Sequence, residues 1–123
     1  MGARRVEELI VWQLAKTLRE GTYRITATGP AFGDRRFREQ IRDAVGSVTR
    51  NIAEGFGRYR HREFAQFLLI SRGSLFQTKD CLRDGILRKY WSDDDVRELD
   101  ELCNRTIAAI THFVRYLRHS PDA

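Results

Sequence analysis

The sequence predicts an all-α protein whose four long helices form an up-and-down antiparallel four-helix bundle, and three observations lead to this prediction. Apolar residues recur at three- and four-residue steps in four long stretches of the 123-residue chain. Both prolines, Pro30 and Pro121, lie outside these stretches. The stretches follow one another with short connections, which is typical of an antiparallel bundle. We expect a single domain, residues 1–123, with helices over about 6–27, 34–57, 61–89 and 93–118.

The first helix is predicted from an apolar stripe between about Val6 and Ala27. Its members are Leu9, Trp12, Leu14, Ala15, Leu18 and Ile25. The segment TGPAFG should end this helix, because proline and two glycines disfavour its continuation.

The second helix should begin beside Asp34, a residue type that caps helix N-termini well. Its apolar face comprises Phe37, Ile41, Ala44, Val45, Val48 and Ile52. Gly55 and Gly57 should weaken the helix and separate it from the next one.

The third helix, from about His61 to Lys89, carries a long buried seam. The seam comprises Phe64, Phe67, Leu68, Ser71, Leu75, Thr78, Leu82 and Ile86. Gly73 lies in the middle of this helix, next to Ser74. Because a glycine there costs roughly 1 kcal/mol relative to alanine, we expect Gly73 to permit a close backbone approach.

The fourth helix should begin after Ser92, an N-cap residue type followed by three aspartates that complement the helix dipole. Its seam comprises Val96, Leu99, Cys103, Thr106, Ile110, Phe113 and Leu117. This alternation of three- and four-residue steps is the seam of a helical bundle.

The composition is that of one folded domain without a membrane span. Hydrophobic residues make up 41% and charged residues 32% of the chain, which excludes the disordered and membrane classes. The N-terminus lacks the apolar core of a signal peptide, so we predict a cytoplasmic location. Cys81 and Cys103 lack zinc-type spacing, so we expect reduced, buried thiols, and no motif predicts a metal or a cofactor.

The basic residues should concentrate at one end of the bundle. The net charge is +5, and such a charge supports nucleic-acid affinity where it is clustered. In the predicted topology both termini and the corner between the second and third helices share one end. That end collects Arg4, Arg5, Arg58, Arg60, His61, Arg62, Arg115, Arg118 and His119. The opposite end receives Asp93, Asp94, Asp95, Glu98, Asp100 and Glu101, so we expect a lopsided monomer.

Two interpretations of the basic end stay open. Taken singly, Arg58, Arg115 and Arg118 suit the dipoles of helix C-termini. That interpretation does not account for the basic residues 60–62, which precede and begin a helix, where cations are disfavoured. An anionic partner accounts for all of them.

Other features near the arginines also allow two interpretations. The second helix carries an outer stripe of Arg35, Arg38, Arg42 and Arg50, which is either a solvated exterior or a nucleic-acid surface. Tyr59 either stacks on unpaired bases or covers the corner, whereas Phe56 should pack beneath it.

The sequence shows little catalytic chemistry. The GFG of residues 55–57 is not a dinucleotide or phosphate loop, since position 60 is not glycine and no Walker lysine follows. Arg105 and His112 lie seven residues apart in RTIAAITH, which resembles the arginine–histidine pattern of the helical HEPN ribonucleases. This spacing arises often by chance, so we expect no enzyme, with His112 in solvent or at a subunit contact.

Two segments resemble a known family. They are LIVWQLAKTLREGTYRIT and EQIRDAVGSVTRNIAEGFGRYRHREFAQFLLISRGSL, in which VWQ, QIR, NIAEG, EF-x-x-FL and GSL occur at the family's spacing. Over roughly residues 9–90 the chain resembles the bacterial four-helix-bundle proteins encoded by intervening sequences in 23S rRNA genes. That family is similar in fold to the accessory variability proteins of diversity-generating retroelements.

The resemblance implies a non-enzymatic bundle that assembles into a cyclic homo-oligomer, typically a pentamer, with a basic surface that contacts RNA or DNA. It also implies a role beside a reverse transcriptase. The positions that carry the motif are Gln40, Arg42, Asn51, Glu54, Gly55, Arg58, Glu63, Phe64, Gly73 and Ser74. From their place on a polar flank of the second helix, we expect Asn51 and Glu54 to bond Arg58, Glu63 or a neighbouring subunit.

We therefore predict a nucleic-acid-binding adaptor with no membrane partner. The predicted site comprises Arg4, Arg5, Arg38, Arg42, Arg58, Tyr59, Arg60, His61, Arg62, Arg115 and Arg118. The alternative is a protein-interaction scaffold in which charge only steers docking.

Overall fold

Four long helices pack around one core in a computed structural model that describes residues 2–120 and 122. The elements are a 3₁₀ turn (Val6–Glu8), α1 (Ile10–Ile25), α2 (Gly29–Gly33), α3 (Arg35–Phe56), α4 (His61–Leu87) and α5 (Asp93–His119). Helix α3 packs against α1 and α4, and α5 packs against α4 and α1, which closes the bundle. The all-α bundle prediction is confirmed, and residues 2–120 contain no strand.

Neighbouring helices are antiparallel, as the contacts between α3 and α4 show. The Ser71 hydroxyl donates to the Val48 carbonyl over 2.8 Å, while Gly55, further along α3, contacts Phe64, which lies earlier on α4. The largest fully buried side chains of the core come from all four long helices, for example Leu18, Ile41, Phe64 and Ile110.

The first predicted helix was too long at both ends. Residues 6–8 form a separate 3₁₀ turn, because the Glu8 carboxylate accepts the backbone N–H groups of Arg4 and Arg5. Leu9 is extended and buried between the turn and α1. At the other end the Thr26 hydroxyl donates to the carbonyl groups of Thr22 and Tyr23, and α1 stops at residue 25.

The segment TGPAFG, which we expected only to break the chain, contains the short helix α2. Pro30 lies in its first turn, where the backbone N–H that proline lacks would have no helical partner. Gly29 has a φ of +70°, a conformation that glycine adopts without strain.

The N-cap of α3 is confirmed, but the role predicted for Gly55 is wrong. The Asp34 side chain accepts from the Phe37 backbone N–H at 3.2 Å. The helix runs through Gly55 to Phe56, and a Cβ on Gly55 would lie 2.7 Å from the Phe64 ring and 2.8 Å from Phe67. Gly55 therefore permits close packing of α4, and Gly57 alone ends the helix.

Within α4 the prediction for Gly73 is also wrong for contacts inside the chain. Gly73 is exposed, and an added Cβ would meet no atom of the described residues within 4 Å. The glycine that α4 needs for packing is Gly85, where a Cβ would lie 2.3 Å from the Trp91 indole. Helix α4 ends before Lys89, whose φ is +63°.

The N-terminus of α5 has the expected cap. Ser92 and Asp95 form a capping box, with Ser92 accepting from the Asp95 backbone N–H and Asp95 accepting from that of Ser92. Both cysteines are buried thiols, as predicted, and burial raises the pKa of Cys103 to about 12.

A polar cluster centred on Asp34 joins the start of α3 to the turn after α4. The Asp34 carboxylate accepts from the Tyr90 hydroxyl at 2.6 Å and from Arg88 at 3.1 Å, besides capping its own helix. The Tyr90 hydrogen bond, the Phe37 N–H and the Arg88 charge together lower the pKa of Asp34.

Replacing Gly85 by alanine should lower the free energy of unfolding by about 1–3 kcal/mol, because the new methyl group displaces Trp91. It should also break the hydrogen bond of 2.9 Å from the Trp91 Nε1 to the Leu82 carbonyl. Urea denaturation measures the change. Gly33→Ala is the matched control, since a Cβ there meets no described atom within 4 Å, and equal stability of the two variants would contradict the assignment.

Replacing Asp34 by asparagine should destabilise the protein at pH 7 and matter less in acid. The folded-state pKa of Asp34 lies below its unfolded value, so its contribution is complete above the unfolded pKa and is lost as the pH falls through the folded pKa. Asparagine caps helices as well as aspartate, so the variant removes mainly the charge. The stability difference from wild type, measured at pH 7 and below about pH 4, should narrow; a constant difference would argue against the ionised carboxylate.

Candidate nucleic-acid interface

The two ends of the chain and the corner between α3 and α4 share one end of the bundle, as the topology predicted. The His61 backbone N–H donates to the Asp122 carboxylate at 2.7 Å, and the His61 Nδ1 lies 3.1 Å from the Ser120 carbonyl oxygen. Helix α5 therefore finishes beside the start of α4. Residues 2–3 and 8–11 line a groove with the last turns of α5, which brings the N-terminal segment to the same end.

The corner residues of this end differ sharply in their contacts. Arg58 donates to Glu54 at 2.7 Å, lies 3.9 Å from Glu63, and stacks its guanidinium 5.1 Å from the Phe67 ring centroid. The expected contact between Glu54 and Arg58 is thus present. Tyr59 is 99% exposed, so it does not cover the corner. Phe56 packs edge-on against Phe64, as expected.

The remaining arginines of this end keep their charges available. Among the described residues, Arg58 forms the salt bridges of this end, and the His61 Nδ1 lies 3.8 Å from the Asp122 carboxylate. The arginines without a carboxylate of the described residues within 4 Å are Arg4, Arg5, Arg60, Arg62, Arg115 and Arg118. Arg118 and His119 also lie in the last turn of α5, where cations complement the dipole.

Several of these basic side chains line two hollows between α4 and α5 that share Arg118, and we call the two hollows together the basic groove. Its half nearest the corner, of about 570 Å³, lies between Arg62 and Gln66 of α4 and Arg118 of α5. Its second half, of about 380 Å³, is lined by Arg72, Arg115, Arg118 and His119. Both halves share Arg118, and Asp122 contributes a carboxylate to the first.

Sequence reasoning missed Arg72. It lies mid-helix in α4, away from the corner, and its guanidinium donates to Thr111 on α5 at 3.1 Å. That cross-helix bond directs the side chain to the α4–α5 side. The register between α4 and α5 decides this placement, and the helical periodicity of α4 alone does not supply it.

The outer stripe of α3 lies apart from the basic groove, and each of its arginines has a partner within the chain. Arg35 and Arg50 pair with the nearby carboxylates of Glu39 and Asp43. Arg42 is half-buried. It donates to Thr26 at 2.9 Å and to the Tyr23 carbonyl at 3.2 Å, and its guanidinium lies 5.0 Å from the Tyr23 ring centroid.

Arg38 likewise donates to the Phe32 carbonyl and covers the Phe32 ring. The carbonyl groups that receive Arg38 and Arg42 lie in the last turns of α2 and α1, so both arginines cap helix C-termini. A nucleic-acid role for this stripe remains a prediction.

The opposite end of the bundle is mixed in charge rather than acidic. Arg88 pairs with Asp34 and Asp84 there, and Arg97 pairs with Asp94. The two ends therefore differ in how their arginines are paired. At this end Arg88 and Arg97 form salt bridges, whereas at the other end Arg58 is the arginine that forms salt bridges with described carboxylates.

Motif residues of α3 and α4 meet at the contact between these helices. Among the described residues, Asn51 bonds neither Arg58 nor Glu63, the two partners we expected within the chain. It donates instead to the carbonyl and hydroxyl oxygens of Ser47, whose hydroxyl accepts from Ser74 at 2.9 Å. Gly55 and Phe64 pack directly together. Gln40, another motif residue of α3, is exposed.

This arrangement accompanies a sequence match over most of the chain. A model of the 23S rRNA-intervening sequence protein family matches residues 7–112. The chain belongs to that family. A search of curated proteins finds no match.

The matched range includes only part of the basic groove. It extends past the two resembling segments into α5 and stops at His112, so helix α5 belongs to the match for most of its length. Arg62 and Arg72 of this 23S rRNA-intervening sequence protein lie within the matched range, whereas Arg115 and Arg118 follow it. The groove thus combines a matched helix with residues beyond the matched range.

Other chemistry finds little support in the described part of the chain. Within residues 2–120 and 122, no group of three histidine, cysteine or acidic side chains is placed to hold a metal ion. None of the described helices is long and apolar enough to cross a membrane. Arg105 and His112 are both exposed on α5, outside the basic groove.

Arg58 should be a structural arginine and Arg60 a free one. Arg58→Gln should lower the free energy of unfolding by about 1 kcal/mol, through loss of an exposed ion pair and a cation–π contact. Arg60→Gln makes the same charge change and should leave the stability within about 0.5 kcal/mol of wild type. Chemical denaturation of both variants measures this, and an equal effect at the two positions would contradict the assignment.

Proposed function

We propose that this 23S rRNA-intervening sequence protein is a non-enzymatic, self-associating adaptor that binds the phosphates of RNA or DNA in the basic groove. The observation that carries the proposal is the position of Arg62, Arg115 and Arg118 around the two hollows of this groove, where no described carboxylate forms a salt bridge with them. Elsewhere, salt bridges with described carboxylates hold Arg35, Arg50, Arg88 and Arg97.

The shape of the groove strengthens the charge effect. Apart from Asp122, the charged side chains that line it are basic, and a cleft in which charges of one sign predominate between low-dielectric walls concentrates the field and attracts counterions. When a nucleic acid binds in place of those counterions, it releases its own condensed counterions. This release supplies most of the sequence-independent affinity. Arginine also presents a planar fork of N–H donors that matches two phosphate oxygens at once.

Tyr59 favours a nucleic acid with unpaired bases. Its ring stands almost fully exposed at the corner, next to Arg60 in the chain and two residues before His61, which lines the first half of the groove. An exposed aromatic ring beside a basic track is the arrangement that stacks single-stranded bases. The family name associates these proteins with rRNA genes, and RNA with single-stranded regions is therefore the first ligand to test.

Self-association would multiply the groove. A cyclic oligomer, a pentamer by the family resemblance, presents several grooves to one polyanion, so avidity exceeds the affinity of each groove. Such a ring in the cytoplasm would hold a nucleic acid for a partner enzyme, and a reverse transcriptase is the partner that the resemblance suggests.

Neutralising the basic groove should weaken nucleic-acid binding and reduce its salt dependence. The triple variant Arg62→Gln, Arg115→Gln and Arg118→Gln should lower the affinity for a single-stranded RNA. The slope of log affinity against log salt should fall by roughly 0.7 for each phosphate group that the variant no longer neutralises. Fluorescence anisotropy across a salt series measures both quantities, with duplex DNA as a second ligand.

The matched control is Arg35→Gln, Arg36→Gln and Arg97→Gln, which removes the same charge from the opposite end. It should retain near wild-type affinity. Equal losses of affinity in the two triple variants would show that only net charge matters. Loss of binding to a reverse transcriptase, with RNA affinity intact, would favour a protein-interaction scaffold instead.

A further inference from the structure

The outer face of α4 carries an unpartnered helical seam. Gly73, Phe76, Asp80 and Leu87 lie along one side, at steps of three and four residues and then, past the exposed Arg83, of seven. Phe76 is 57% and Leu87 81% exposed. Isolated exposed apolar residues are common, but a seam with coiled-coil spacing is the pattern by which helices pack on other helices.

Gly73 indicates that something approaches this seam closely. A glycine inside a helix is less stable than alanine, and no contact among the described residues requires it at this position. At the centre of an exposed seam, the missing side chain leaves room for a second helix. The glycine that the fold does not need thus lies where a partner would need it.

The same chain contains an apolar groove between its N-terminal segment and α5. It is lined by Ile10, Val11, Ala109, Phe113 and Tyr116, together with His112, and measures about 740 Å³. Ile10 is 64% exposed at its edge. The small side chain of Ala109 beside the larger Phe113 and Tyr116 makes a hole that accepts a large apolar side chain.

We infer that the outer seam of α4 in one copy packs into this α1–α5 groove of a second copy, with Phe76 inserted over Ala109. The charges agree with this docking. Asp80 follows Phe76 by four residues, while the exposed Arg105 lies four residues before Ala109 and the exposed His112 three residues after it. One turn from Phe76, Asp80 therefore meets the Arg105 guanidinium if the two helices are antiparallel and the His112 imidazole if they are parallel.

The inferred contact joins two different surfaces, so each copy offers both a seam and a groove. Such a heterologous contact closes into a ring or continues as a filament. It occupies α4 from Gly73 onward, whereas the basic groove uses α4 up to Arg72, so the two surfaces do not compete. This inference rests on the self-association included in the proposed function and specifies its surfaces.

Cysteine trapping tests the pairing of the surfaces. Phe76→Cys and Ala109→Cys are prepared as separate proteins, mixed, and oxidised mildly, and the products are resolved on a non-reducing gel. We expect a dimer in the mixture and little in either protein alone, and a ladder of multimers from a chain carrying both substitutions. Ala53→Cys, exposed on α3, replaces Ala109→Cys in the control mixture and should give no dimer.

A second variant avoids dependence on cross-linking. Gly73→Arg should fold normally, since no described atom lies within 4 Å of its Cβ, but should weaken self-association about tenfold or more in sedimentation equilibrium. Three results would overturn the pairing of these two surfaces without affecting the rest of the proposed function. They are wild-type oligomers with no mixed dimer, dimers of Phe76→Cys with itself, and unchanged association of Gly73→Arg. A wild-type protein that stays monomeric would also remove self-association from the proposed function, while RNA binding by the monomer would keep the basic groove.

Discussion

The close contact between α3 and α4 is the constraint on which the rest of the structure depends. Gly55 allows the rings of Phe64 and Phe67 to lie against the α3 backbone. The Ser71 hydroxyl reaches the Val48 carbonyl across the same interface, so small residues replace the bulky side chains that would keep the helices apart. Because the helices converge this closely, a short corner joins them, and Tyr59 and Arg60 are exposed on it.

This contact also divides the arginines into two groups. Arg58 lies on the corner itself and is held by Glu54 and by the Phe67 ring, so it stabilises the connection. Arg62, near the start of α4, faces α5 instead and has no carboxylate partner among the described residues. The direction in which α4 leaves the corner therefore decides which arginines serve the fold and which remain available to an anion.

The sequence predicted the helices and the core better than it predicted the roles of individual residues. Apolar periodicity is a property of each helix alone, and the N-caps Asp34 and Ser92 act within one helical turn. Both features could therefore be predicted from the local sequence. Gly55 and Gly73 look alike in sequence but differ in role, because only the partner helix shows which one is covered. The place of Arg72 in the basic groove was not predicted for the same reason, because it depends on the register between α4 and α5.

Photo-crosslinking tests the central claim most directly, because it locates a bound nucleic acid without altering the protein. A single-stranded RNA containing 4-thiouridine would be irradiated in complex with the wild-type chain, and the attached peptides identified by mass spectrometry. Binding in the basic groove predicts attachment along residues 62–72 and 111–119, which contain its lining residues on α4 and α5, and base stacking on the exposed Tyr59 predicts attachment there as well. Attachment confined to residues 35–50 on the outer stripe of α3 would contradict it.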